Sequence, residues 1–83
     1  VRRAPSTLER RLTDGVLVLG PAPAEPLALT GTAGVLWDAL ADPWTTEALV
    51  AEMQRRFRGD PERIRRDVRA TVDELVRAGV LDR

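Results

Sequence analysis

The 83-residue chain contains no cysteine, no histidine and no tyrosine, and all thirteen of its basic residues are arginine. Without cysteine there is no disulfide framework and no thiolate metal site. The missing histidine and tyrosine take away the usual general base, the commonest metal ligand and a phenolic acid. Ser6, the sole serine, lies in a tail beside Pro5, with no histidine in the chain to activate it. The carboxylates fall at caps, turns and charged helix faces, so they read as solvated or capping groups rather than as a catalytic pair. Neither Asp14-Gly15 nor Gly31-Thr32-Ala33-Gly34 is followed by the lysine of a phosphate loop. The chain is therefore expected not to be an enzyme and to hold no metal and no cofactor.

Long hydrophobic runs and an excess of one charge are also lacking. Thirteen acidic residues balance the thirteen arginines, giving a formal net charge of zero, so the field that drives most nucleic-acid binding is missing. No uncharged stretch approaches the roughly 20 apolar residues of a membrane span, and no apolar signal core follows Val1-Arg2-Arg3-Ala4-Pro5. A soluble, cytoplasmic protein is expected. Its start at Val1 fits a trimmed product or a piece of a longer polypeptide. A domain of this length hides only about 60% of its unfolded surface, so residues 1–83 are expected to form one domain with a modest core and a flexible tail over 1–7.

What is present has a clear order. Leu8 to Leu12 and Val16 to Leu19 flank Thr13-Asp14-Gly15, a hairpin signal because Asp and Gly tolerate positive φ. Gly20-Pro21-Ala22-Pro23-Ala24 then reads as a loop or wing tip. Pro26-Leu27-Ala28-Leu29-Thr30 alternates large and small residues, predicting a third strand with Leu27 and Leu29 on one face. Thr30 is placed to cap a helix over Gly31 to Ala41 with Val35, Leu36, Trp37 and Leu40 inward. A second helix starts from a Thr45 cap and carries a stripe of Leu49, Val50, Met53 and Phe57. Gly59 closes it, and Asp60-Pro61 gives a third helix its cap and first residue. There Ile64, Val68, Thr71, Val72, Leu75 and Val76 share a face, and Gly79 supplies the stop. The sum is an α+β domain of winged helix-turn-helix plan, a three-stranded antiparallel sheet followed by three α-helices.

Two binding surfaces can be built from that plan. The third helix could read DNA through Arg63, Arg65, Arg66 and Arg69, but Asp60, Glu62, Asp67, Asp73 and Glu74 accompany them, as on an ordinary solvated helix. The third strand is more telling. The preceding hairpin covers only one of its edges, and after Glu25 it carries no charge to blunt the other. A free apolar edge beside a helix suits strand addition by an extended peptide, although Pro26 could equally protect a short edge.

Leu29-Thr30-Gly31-Thr32-Ala33, Trp37-Asp38-Ala39-Leu40, Thr46-Glu47-Ala48-Leu49, Phe57-Arg58-Gly59-Asp60-Pro61, Asp67-Val68 and Leu75 through Leu81 together resemble the PqqD-like family, the RiPP recognition elements. The resemblance runs from about residue 8 to residue 82. It implies a winged-helix domain that binds the leader region of a ribosomally made precursor peptide and presents it to a RiPP-modifying enzyme or leader peptidase, without nucleic acid and away from the membrane. Free-standing and enzyme-fused versions both occur. Carried over, the strand contacts fall on Pro26, Leu27, Ala28, Leu29 and Thr30. The helix wall comprises Arg65, Val68, Arg69, Val72 and Val76, with Asp67 on the opposite flank. Apolar pockets between Leu27 or Leu29 and Val68 or Val72 would choose leader side chains, and Arg65 and Arg69 would favour an acidic leader. Many relatives carry an aromatic in this strand where this chain has Leu27-Ala28-Leu29, so the pathway stays open between cofactor synthesis, lasso peptide maturation and others. A monomer or weak dimer is expected. The alternatives are a winged-helix DNA-binding regulatory domain and a purely structural part of a larger enzyme.

Overall fold

In chain order the elements are β1 (Arg2–Arg3), β2 (Leu8–Leu12), β3 (Gly15–Leu19), β4 (Leu27–Thr30), α1 (Gly31–Ala39), α2 (Thr46–Arg56), α3 (Pro61–Arg77) and β5 (Leu81–Asp82). The structure, a computed structural model, describes residues 1–21 and 25–83. Part of the expected wing tip, Ala22 to Ala24, lies outside the described residues. Strands β2, β3 and β4 form an antiparallel sheet in that order, and β1 pairs with β5 in a second, two-stranded sheet.

The hairpin sits where the sequence places it, for a different reason. Leu12 pairs with Gly15 across a two-residue loop, yet among the described residues no non-glycine has positive φ and Gly15 is not one of the glycines that do. What Gly15 supplies is space. A Cβ there would stand 2.2 Å from the Leu29 carbonyl oxygen of the neighbouring strand, far inside van der Waals contact.

β4 passes into α1 without a linker. Gly31, at φ +57°, takes the left-handed conformation that costs other residues free energy, and so turns the chain from strand to helix in one step. Thr30 holds the N-cap position with extended backbone, but its side chain makes no capping bond. The other expected caps are made: Thr45 Oγ1 accepts from the Ala48 N–H at 3.1 Å and Asp60 Oδ1 from the Glu62 N–H at 3.2 Å. Helix α1 stops at Ala39 and α2 at Arg56, each a little short of its expected end. Beyond α3, the Gly79 N–H donates to the Val76 carbonyl and the Val80 N–H to the Leu75 carbonyl, a pair of bonds that closes a helix through a left-handed glycine.

The core is drawn from every layer. Val16, Val18 and Leu29 come from the sheet, Leu36, Trp37 and Leu40 from the first helical segment, and Leu49, Val50 and Met53 from α2. Val68, Val72 and Leu75 of α3 complete it with Val80 and Leu81. Each large aliphatic side chain removed from water contributes roughly 1.5–3 kcal/mol, the main source of stability in a chain without disulfides.

Residues 1–7, expected as a flexible tail, are tied down. Arg2 pairs with Asp82 and Arg3 with Leu81, and the Ala4 N–H donates to the Val80 carbonyl at 3.0 Å. Arg3 is the anchor. Its guanidinium lies 4.7 Å from the Trp37 ring centroid, a cation–π distance, and its Nη2 donates to the Trp37 carbonyl at 2.7 Å. Trp37 Nε1 in turn donates to Glu9 Oε2 at 2.6 Å. Trp44 pins the connection between the first two helices by donating from Nε1 to the Ala39 carbonyl at 2.8 Å. Among the described residues no helix is long and apolar enough to cross a membrane.

Candidate functional site

The exposed pattern of β4 follows from its alternation. Leu29 is buried and Leu27 half-buried on the core side, whereas Ala28 and Thr30 are exposed, as is Pro26 just before the strand. One edge of β4 is paired with β3, and no described strand pairs with the other. The Leu29 carbonyl oxygen, packed over Gly15, is turned toward β3. Alternation along an antiparallel strand then sends the N–H and C=O of Ala28 to the open edge, where an extended peptide would meet them.

A cleft of about 350 Å³ opens where α1 faces the start of α3. Its floor is apolar, made by Ala33, Leu36, Met53, Phe57, Ile64 and Val68, and its rim carries Arg58, Asp60, Arg63 and Asp67 with the hydroxyl residues Thr32 and Thr71. Thr32 and Ala33 follow Thr30 by two and three residues, so the cleft lies close to the end of the open strand edge. An apolar floor with a charged rim suits one bulky apolar side chain carried on a polar backbone.

The structure sorts the expected helix wall into two flanks. Asp67 and Val68 line the cleft. Arg65 and Arg69 do not: both are bound to Glu47 at the start of α2, Arg65 Nη1 at 2.6 Å from Glu47 Oε2 and Arg69 Nη2 on Oε1. Those bonds, Arg65 first, hold the Glu47 carboxyl below its ordinary value of 4.5 and raise the Arg65 guanidinium. Val72 is fully buried and Val76 packs against the core. Val72 and Arg69 line a second, smaller cavity with Thr46, Asp73 and Arg83, and neither Leu27 nor Leu29 lines it or the α1–α3 cleft. Arg58 and Arg63, which sequence reasoning left out of the site, are the rim cations, and neither has a carboxylate partner among the described residues. The signal was available in the helical spacing: Ile64, Asp67, Val68 and Thr71 recur at three and four residues.

No group of three or more His, Cys, Asp or Glu among the described residues is arranged to hold a metal ion. The site as built offers backbone hydrogen bonds and an apolar pocket, which is equipment for holding a peptide.

The sequence matches the family described as Coenzyme PQQ synthesis protein D (PqqD) over residues 15–81. The chain belongs to the PqqD family. No curated protein matches it. Among solved structures it is similar to TbiB1 in complex with the TbiA(beta) leader peptide, with a TM-score of 0.85 and 17% identity over 99% of this chain and 95% of that one. At that identity the likeness establishes the fold. The PqqD-family match starts at Gly15 and ends at Leu81, taking in β3, the open strand β4 and all three helices.

Proposed function

We propose that this PqqD-family chain is a non-catalytic recognition module that binds the leader segment of a ribosomally synthesised precursor peptide and presents it to a modifying enzyme or leader peptidase. The leader adds as a strand to the open edge of β4, its backbone bonded to Ala28 and its neighbours, and lodges an apolar side chain in the α1–α3 cleft. The observation that carries this reading is the open edge of β4 running directly, through Gly31, into the helix that walls the cleft. The similar TbiB1 chain is itself held in complex with a leader peptide. In this reading a winged helix-turn-helix plan serves peptide rather than DNA. Arg65 and Arg69 are already paired with Glu47, and Glu62, Asp67, Asp73 and Glu74 offset the other arginines of α3. A cytoplasmic setting, where precursor peptides are made, fits the absence of cysteine.

The test is a titration of fluorescently labelled leader, taken from a precursor encoded beside this protein, read by anisotropy. Saturable binding is expected, with little loss between low and moderate salt, because backbone bonds release few counterions. Ala28→Pro removes the edge N–H and should weaken binding about tenfold, combining one lost bond of about 1 kcal/mol with the steric bulk of the ring. A folded sample that shows no saturable binding ends the proposal; a normal-binding Ala28→Pro variant ends the strand-addition geometry alone.

A further inference from the structure

Charge is spread unevenly along this neutral chain. Residues 52–66, the end of α2 and the start of α3, hold six arginines against three carboxylates, so the rest of the chain carries a matching acidic excess. All three carboxylates are engaged: Glu52 accepts from Arg55 and Arg56, Asp60 caps α3, and Glu62 lies 3.7 Å from Arg65. Arg58 and Arg63 stand exposed on the rim of the α1–α3 cleft with no carboxylate partner among the described residues. Asp67 is their counterpart, an exposed rim carboxylate that no described cation pairs. One helical turn separates it from Arg63, about 6 Å at about 1.5 Å per residue.

The fold orders these groups relative to the open strand edge. A Cβ at Gly20, just past β3, would lie 2.8 Å from the Ala78 carbonyl oxygen, and Val18 near that end of β3 pairs with Leu27 at the start of β4. The end of α3 therefore lies by the start of β4. The middle of α3 shares the cleft with Thr32 and Ala33, just past the end of β4. A peptide that leaves the β4 edge beyond Thr30 thus meets Asp67 first, crosses the floor at Ile64 and Val68, and reaches Arg63 and Arg58 last.

We infer that the apolar anchor of the leader is flanked, on the side away from its strand-paired segment, by a carboxylate residue that Arg58 and Arg63 hold, and that Asp67 rejects a carboxylate on the strand side. This charge order rests on the leader-binding reading above and deepens it by naming what the leader must carry and where. The turn between Asp67 and Arg63 matches about two residues of extended chain at about 3.4 Å each. The carboxylate therefore falls one or two residues beyond the anchor. Two guanidinium groups without carboxylates of their own suit an acidic side chain, and a peptide lying over the apolar floor shields the contact from part of the solvent that would weaken it. Arg58 and Arg63 act here as specificity-determining residues, with affinity left to the strand edge and the cleft floor. Asp67 supplies the repulsive element that discrimination between leaders needs. The acid preference expected of Arg65 and Arg69 passes to this corner because Glu47 already occupies that pair.

The test titrates the full chain at low salt with the labelled leader of the precursor encoded beside this protein, and with variants of that peptide. An alanine scan of the leader locates the anchor as the apolar position whose loss no longer matters to an Ala33→Leu variant. Replacing the carboxylate beyond the anchor by lysine should weaken binding to wild type at least fivefold, and so should Arg58→Glu or Arg63→Glu against the unaltered leader. Combining the lysine peptide with Arg63→Glu should recover at least threefold of that loss. Arg66→Glu makes the same change of charge outside the cleft and should bind within twofold of wild type, with circular dichroism confirming that every variant folds. Moving the carboxylate to the strand side of the anchor should weaken binding to wild type and be tolerated by Asp67→Asn. A leader with no carboxylate within two residues of its anchor on the far side overturns the charge order. So does binding within twofold of wild type in both Arg58→Glu and Arg63→Glu, an equal loss in Arg66→Glu, or no recovery in the charge swap. Absence of saturable binding by folded wild type overturns the leader reading itself, whereas saturable binding indifferent to these charges overturns the charge order alone.

Discussion

Filling the α1–α3 cleft separates it from the strand edge as a source of affinity. Ala33 is half-buried on the cleft floor, in a helix where leucine is nearly as well tolerated as alanine. Ala33→Leu projects three further carbons into a space of about 350 Å³ and leaves the β4 backbone untouched. A leader side chain of leucine or phenylalanine size that is buried there contributes about 1.5–3 kcal/mol. Its exclusion should therefore raise Kd by about 12- to 150-fold at 1.4 kcal/mol per decade. Stability should hold or rise slightly, because the added carbons enter a cleft whose Phe57 and Ile64 are only partly buried. Anisotropy titration of labelled leader, paired with a thermal melt, reads both quantities. A folded variant that binds leader within twofold of wild type would refute the assignment of the cleft to a leader side chain, and affinity would then belong to the edge alone.

Other outcomes follow from the same geometry. Gly15→Ala forces a Cβ to 2.2 Å from the Leu29 carbonyl oxygen, and the backbone shift should cost about 1–3 kcal/mol, lowering Tm by at least about 4 °C. Arg63→Ala at the cleft rim should weaken binding of an acidic leader about two- to fivefold at low salt, and the difference should vanish in high salt. Arg65→Ala, which removes a Glu47 partner, should leave leader affinity unchanged. The Glu47 carboxyl is held below its ordinary 4.5 by Arg65 and Arg69, so its contribution to stability is complete above that value and is lost as pH falls through the lowered one. Glu47→Gln should therefore melt below wild type at pH 7, and the gap should narrow as the pH is taken below 4.5 in a series of thermal melts.

The fold was legible because its local signals agree with one another. Asp60-Pro61 starts a helix and Gly79 stops one through chemistry confined to a few residues, and those boundaries appear in the structure as expected. The Trp37 position on an apolar stripe likewise marked it as core. The β1–β5 pairing escaped notice because two-residue strands have no periodicity to detect, and their partner lies at the other end of the chain. The two flanks of α3 were not told apart for a related reason. Around a helix, Arg65 and Arg69 border Val68 and Val72 on one side much as Ile64, Asp67 and Thr71 do on the other. Only the tertiary arrangement, with Glu47 reaching across from α2, distinguishes the two sides.

The pairing of Arg2 with Asp82 has an architectural consequence. Chain entry and exit lie one strand spacing apart, about 4.8 Å, so the whole domain can be spliced into a surface loop of a host protein while parting that loop by little more than the width of a hairpin.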